Sequence, residues 1–453
     1  MSPHAVPLEC PEDRDSLSAE LRKFAVTKNA FLPDESPLAR LPDPYYEPWE
    51  RIAQSLPALI HGRQIHASVR NLPVLSTDRL SSQPEWRRAY LLLSYITHAH
   101  IWGGDKPNDI TLPLLAVSAH LELPPTLTYA AVCLWNFSST TASFSDLGSL
   151  RTLVSFTGTE SEAWFSLISV AMEARASSIL ATMLAALDAV KARAYGTITA
   201  ALLELARCID SVSRLLERMY ERCEPMVFYH QIRPFLAGTK NMQGAGLPRG
   251  VFYDHGGGQG EWRQLRGGSN GQSSLIQFFD VVLGVDHKGH GDESRINESN
   301  SNSNSNKDHD NDGNHPPDSF HAQVREYMPG PHRRFLVHVM RMGSIRELAL
   351  VPPTTDDQRR LRDAYQRATD ALCQFRNKHI QIVTRYIILP SRQQPPPREG
   401  PAGSGDPAGR RQNLASSSLA RKGEELTGTG GTMLVPFLRQ ARDETIAAGK
   451  LDR

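Results

Sequence analysis

His379 sits in QFRNKHIQIVTRY, four residues after Phe375 and three before Ile382, so its ring projects along an apolar stripe and not into water. An imidazole in that position has two physical explanations. It is either a core histidine satisfied by one hydrogen bond, or a single neutral axial ligand for haem iron in an apolar cavity. Spacing alone leaves both open.

Four further sites carry residue types that could do chemistry. In EPMVFYHQIRPFLAG, Phe228 and Arg233 stand five residues apart in an aromatic and apolar segment. An aromatic ring with a guanidinium can stack a flat substrate and clamp its carboxylate, although a helix with one snorkelling arginine gives the same pattern. Asp280, inside FFDVVLGV, is an acid among apolar residues and calls for a cation. The run Gly267-Gly268-Ser269-Asn270-Gly271 before an apolar helix resembles an anion-cradling turn. No strand pattern precedes it and no Lys-Ser/Thr pair follows, so these glycines are read as letting the backbone pack closely against something flat. Near the C-terminus, Gly428-Thr429-Gly430-Gly431-Thr432 is either a plain linker or a lid over a ligand. No Ser-His-Asp order, H-E-x-x-H, Walker motif or catalytic carboxylate pair can be assembled, which leaves hydrolase chemistry without support.

The elements that must hold these residues are helices. From Asp356 to Pro390, Leu361, Tyr365, Ala368, Leu372, Phe375, Ile382, Val383 and Tyr386 recur at helical spacing, with Thr354 or Thr355 available as cap and Pro390 as stop. Pro84 to Ile101 carries a second helical pattern, broken by WGGDKPND, and a third helix starts near Leu112. Another is expected to open at Thr126. Between Pro125 and Pro225 there is no proline; EAWFSLISVAMEARASSILATMLAALDAV reads as one long core helix, followed by a break near Tyr195 and Gly196 and a second long helix. Strand alternation is nearly absent, and the fold class is all-α. Two segments, 286–319 (rich in Asn, Ser and Asp) and 391–422 (rich in Pro, Gly and Arg), cannot bury a core and are expected to be disordered inserts. His287, His290, His309 and His315 of the first could capture a metal, but a solvated polar loop explains them as well.

Composition narrows the function. The 453 residues carry 50 Lys+Arg against 49 Asp+Glu, a formal net charge of +1, so bulk charge argues against nucleic acid or an anionic membrane as partner. No apolar run reaches ~18 residues and the N-terminal MSPHAVPLECPEDRD lacks the pattern of a secretory signal, so a cytoplasmic protein is expected. The five cysteines include no C-x-x-C pair and no C-x-x-C-H, which disfavours disulfides, a zinc site and covalent haem attachment.

Taken in order, LELPPTLTYA, SFTGTESEAWFSL, FYHQIRPFLAG, GGSNGQSSLIQFFDVVLG, REYMPGPHRRFL, RNKHIQIVTRYIILP and GTGGTMLVPFL resemble the indoleamine 2,3-dioxygenase family, and its fungal members most. The resemblance spans about Asp43 to the C-terminus and lapses in the two inserts. It implies an all-α, two-domain protein, with a smaller N-terminal helical domain (1–150) over the distal side of a haem and a larger domain (151–453) that holds it. The cofactor implied is haem b, bound non-covalently. The reaction implied is opening of the indole ring of L-tryptophan by O2 to N-formylkynurenine, the first step of the kynurenine route toward NAD. An electron donor that keeps the iron ferrous and a monomeric state are implied too.

Residue by residue, the resemblance makes His379 the proximal iron ligand, with Asp280 and Arg376 paired behind it. It makes Phe228 the ring that packs on the indole and Arg233 the clamp on the substrate carboxylate. Tyr129, Cys133, Phe165 and Ser169 match pocket-lining positions, Gly268, Ser269 and Asn270 the turn against haem edge and substrate, and Thr429 the loop residue that closes over the amino acid. Three positions depart from the commoner pattern: Asn270 where a smaller residue is frequent, Tyr229 in place of a second phenylalanine, and Ala237 in place of a serine. Those departures keep open a low-activity relative that binds haem or an indole, or one that acts on another indole.

Overall fold

A computed structural model describes residues 20–103, 112–287, 320–393, 428–429 and 434–451. The expected inserts fall outside these residues, apart from 286–287 and 391–393, as do Gly430, Gly431 and Thr432 of the Gly/Thr run. Helix makes up 64% of the protein, and the fold is all-α as its sequence implies.

The N-terminal part contributes helix α1 (Glu47–Gln54) and helix α2 (Gln83–Trp102), capped by Ser82, whose hydroxyl accepts from the Glu85 amide. A buried ion pair joins them. Arg88 Nε and Nη2 donate to Glu50 Oε1 and Oε2 at 3.0 and 2.6 Å, and the Leu41 amide adds a third bond to Glu50. Both side chains are almost wholly buried. Removing one partner strands the other charge in the core, so Glu50→Ala is expected to lower unfolding stability by about 3–5 kcal/mol. Denaturant titration checks this, and a loss below ~1 kcal/mol would contradict a buried pair.

Helix α3 (Leu112–His120) follows. The helix expected from Thr126 shrinks to one π-helical turn, Ala130–Leu134, closed by the Trp135 amide on the Ala130 carbonyl. Next, the long helix expected after Thr159 is two: α4 (Glu160–Arg175) and α5 (Ser177–Lys191), bent by 42° at Ala176. Ser177 and Ser178 begin the second segment, and serine competes with the helical backbone for hydrogen bonds. Helix α6 (Tyr195–Glu217) then starts at the anticipated break.

Two short antiparallel pairs interrupt the helices: β1 (Ser138–Ser139) with β2 (Leu150–Arg151), and β3 (Val251–Asp254) with β4 (Gly260–Arg263). The second corrects the sequence reading, because a strand does precede the Gly267 turn. The hairpin's two strands are four residues each, too short for alternation to stand out. Helices α7 (Ser274–Leu283), α8 (Gly330–Met342), α9 (Asp356–Val383) and α10 (Leu434–Gly449) complete the frame.

Helix α9 is the spine. Thr355 caps it, accepting from the Gln358 amide while the Gln358 side chain accepts from the Thr355 amide. All eight stripe residues named above are buried, and α9 packs chiefly on α6 and α10. Pro390 does not stop the run: a π-helical turn, Thr384–Ile388, and a short helix, Leu389–Ser391, continue it. Opening the ladder in the π turn puts Pro390 in the first turn of a new segment, where its missing N–H costs nothing. One contiguous hydrophobic core runs from Val26 to Ala448. Among the described residues no single helix is long and apolar enough to cross a membrane.

Candidate active site

His379 keeps some accessible surface, yet burial and, secondarily, Arg376 depress its pKa to about 4, so the ring is neutral at physiological pH. Among the described residues it has no hydrogen-bond partner. A neutral imidazole, walled by protein but unsatisfied by it, fits a ligand that awaits an iron better than a core histidine.

One turn earlier on α9, Arg376 donates to Asp280 Oδ1 at 2.6 Å and to the Ala441 carbonyl at 2.6 Å, and it bonds the Thr445 hydroxyl. Asp280 thus has the cation its surroundings demanded. Burial works against its ionisation, but Arg376 and then His287 outweigh it and hold the carboxyl at about 2. The network goes further than the sequence suggested. His287, first expected in a solvated loop, is half-buried with its side chain only 7% exposed, Nε2 lying 3.1 Å from Asp280 Oδ2 and Nδ1 2.6 Å from Glu444 Oε2; its ring stacks on His321 at 3.6 Å. Burial lowers the His287 pKa but the two carboxylates prevail and raise it.

Phe228 belongs to a second π-helical turn, Phe228–Ile232, closed by the Arg233 amide on the Phe228 carbonyl. Its ring meets Phe165 of α4 at 4.9 Å and, edge-on, Tyr386 of the turn after His379 at 5.9 Å. Arg233 begins the next short helix, Arg233–Leu236, and is only 8% exposed, which rules out snorkelling. Its guanidinium lies over the Tyr229 ring at 5.6 Å, and burial lowers its pKa. Tyr229 therefore does more here than replace a phenylalanine.

Tyr129, Cys133 and Ser169 are buried around the first π turn. Burial pushes the Cys133 thiol up, opposed by a hydrogen bond with Ser169. The Gly267–Ser273 turn is stitched to this wall by residues that sequence reading passed over. Gln272 accepts from the Tyr129 amide and donates to the Gly267 carbonyl, both at 2.8 Å, and Ser273 donates to Glu173 at 2.9 Å. Ser269 caps the 3-10 turn Asn270–Gln272.

The close approach expected of the Gly267 run occurs between Gly267 and Gly238, a glycine the sequence did not single out: a Cβ at Gly238 or Gly267 would stand 2.2 Å or 2.0 Å from the other segment's backbone. Their flat partner is thus another peptide. Thr429 docks on the same spot: its carbonyl accepts from Gly267 and Gly238 at 3.1 and 3.4 Å, and its hydroxyl donates to the Gly268 carbonyl at 2.7 Å.

An indoleamine 2,3-dioxygenase family model matches residues 20–448. The chain belongs to that family. Its curated relatives include an indoleamine 2,3-dioxygenase of Aspergillus nanangensis, 38% identical over 450 residues (95% of this chain, 98% of the relative). The indoleamine 2,3-dioxygenase of Saccharomyces cerevisiae is 37% identical over 452 residues (95% and 94%), and a 6-hydroxytryptophan 2,3-dioxygenase of Fusarium equiseti is 36% identical over 439 (95% and 98%). As an indoleamine 2,3-dioxygenase family member, this protein is an oxidoreductase that works on indoles with O2 and haem iron.

Proposed function

We propose that the protein cleaves the indole C2–C3 bond of L-tryptophan with O2 to give N-formylkynurenine, the entry to the kynurenine route toward NAD. The observation that carries this reading is Arg233, a buried guanidinium at the end of an aromatic wall of Phe165, Phe228 and Tyr229. A desolvated cation beside flat apolar rings suits an indole that bears a carboxylate.

Haem b, held non-covalently by His379 as the ligand to its iron, supplies the activation of dioxygen when bound. The protein's residues do the rest. The Asp280–Arg376 pair fixes the end of α9 that carries His379. Phe228 and Phe165 orient the indole, Arg233 clamps the carboxylate, and Cys133 and Ser169 line the inner pocket with small groups. Gly268, Ser269 and Asn270 flank the opening, and Thr429, with its glycine neighbours, closes over the amino acid and excludes water. Among the described residues no group stands out as a strong base at neutral pH, and none is needed.

The smaller unit, 1–150, covers the distal face and 151–453 holds the haem; the protein acts as a cytoplasmic monomer with a separate electron donor. A second reading, a hydroxylated tryptophan as substrate, draws on the buried Cys133 and Ser169, whose polar atoms can meet a ring hydroxyl. The Fusarium relative's name points the same way. The test is product formation by haem-loaded, reduced protein in air with L-tryptophan and 6-hydroxytryptophan side by side. N-formylkynurenine at a higher kcat/KM for L-tryptophan supports the first reading. Haem loading without N-formylkynurenine overturns it.

A further inference from the structure

Glu173 lies one turn beyond Ser169 on α4 and is 1% exposed. Its Oε1 accepts from the Tyr129 phenol at 3.0 Å and from the Ser273 hydroxyl at 2.9 Å, while its Oε2 is buried without a hydrogen-bond partner. Among the described residues no cation pairs with it. Charged groups on the elements around α4 are engaged elsewhere: Arg218 with Glu221, Arg222 with Glu160, and Arg233 over Tyr229. The groups that act on Glu173 are Ser273 and Tyr129. An acid so placed is costly to ionise, and its neutral form still holds both hydroxyls.

We propose that Glu173 is a positioning residue of the dioxygenase: its carboxyl group clamps the Tyr129 phenol and the Ser273 hydroxyl, and so sets the spacing of the two turns that flank the substrate. This rests on the reading of those turns as pocket walls. Tyr129 and Ser273 lie 144 positions apart in the chain, and Glu173 touches both. Burial raises the Glu173 pKa from 4.5 to about 7 against the two hydrogen bonds. The Tyr129 phenol and Cys133 thiol are pushed up by burial and by Glu173 itself, so of these three groups only Glu173 titrates near neutrality.

The sign follows from proton linkage. Between about pH 4.5 and 7 the folded state holds a proton that the unfolded state has lost, so stability falls as pH rises through that window and levels off above it. Both hydroxyls donate to the carboxylate as they do to the acid and favour its charged form, so the clamp holds on either side of that window and only the cost of a buried charge changes. The experiment compares the haem-loaded full chain with Glu173→Gln and Glu173→Ala, measuring Tm from pH 4.5 to 8.5 and kcat and KM across the same range.

Wild type is expected to lose several degrees of Tm relative to Glu173→Gln between pH 4.5 and 7. Glu173→Gln, which keeps a carbonyl acceptor for both hydroxyls, should retain most of kcat, and Glu173→Ala at pH 6 should lose about 10-fold or more in kcat with an unchanged haem spectrum. Parallel Tm curves for wild type and Glu173→Gln overturn the proposal, as does an alanine variant with wild-type kcat. Because the Tm comparison needs no turnover, it reads the clamp even if L-tryptophan gives no product. Product formed by Glu173→Ala at the wild-type rate sinks the clamp and leaves the dioxygenase reading intact.

Discussion

His379→Ala is expected to abolish stoichiometric haem binding and to cut turnover by more than about 100-fold. Removing even an outer partner of a metal ligand costs ~10–100-fold, and this change removes the ligand itself. The fold should survive, because the ring makes no hydrogen bond to the described protein and its helix is held by a full capping box and an eight-residue buried stripe. Soret absorbance after haem loading, apoprotein Tm and L-tryptophan turnover measure the three parts separately. Added imidazole should restore part of the haem signal in the cavity. An alanine variant with normal haem content and normal turnover would remove His379 from the site and return it to the core.

The second large effect is expected at Arg233. Alanine there should raise KM for L-tryptophan by about 30-fold to several hundred-fold, the equivalent of roughly 2–4 kcal/mol for a charge-assisted carboxylate contact. Haem content should stay unchanged, since Arg233 leads a different segment from the one that carries His379. Lysine should recover little, because a point charge does not reproduce the guanidinium fork. Tryptamine, which lacks the carboxylate, should be a poor substrate of wild type and should lose nothing further in the variant. Steady-state kinetics on both substrates decide the matter: an unchanged KM for L-tryptophan would refute the clamp.

Much of this site was legible in the chain because it sits on helices whose periodicity survives in the sequence. The stripe on α9 located His379, and an acid stranded in FFDVVLGV asked for the arginine it received. Other features were hidden for identifiable reasons. Glu173, in AMEAR near a helix end, reads like any solvent-facing glutamate, since its partners at 129 and 273 are remote. His287 merged with a polar insert, although Asp280 and Glu444 draw it inward. The bend at Ala176 and the β3–β4 hairpin were missed because neither leaves a period long enough to count. Gly267 was foreseen as a close-contact glycine but its partner Gly238 was not, because their mutual contact is tertiary and has no local signature.

The three π-helical turns tie chain length to the site. Each is closed by a bond five residues back instead of four: Trp135 to Ala130, Arg233 to Phe228, Leu389 to Thr384. Each therefore spends one extra residue to complete its loop, and that residue works as a phase shifter. Losing it would let the turn relax to ordinary α geometry and swing every later side chain of the segment by about 100°. Arg233 would then rotate away from Tyr229. The aromatic wall and its cation stay in phase only while the residue count between Phe228 and Arg233 holds, so there the spacing of the letters matters as much as their identity.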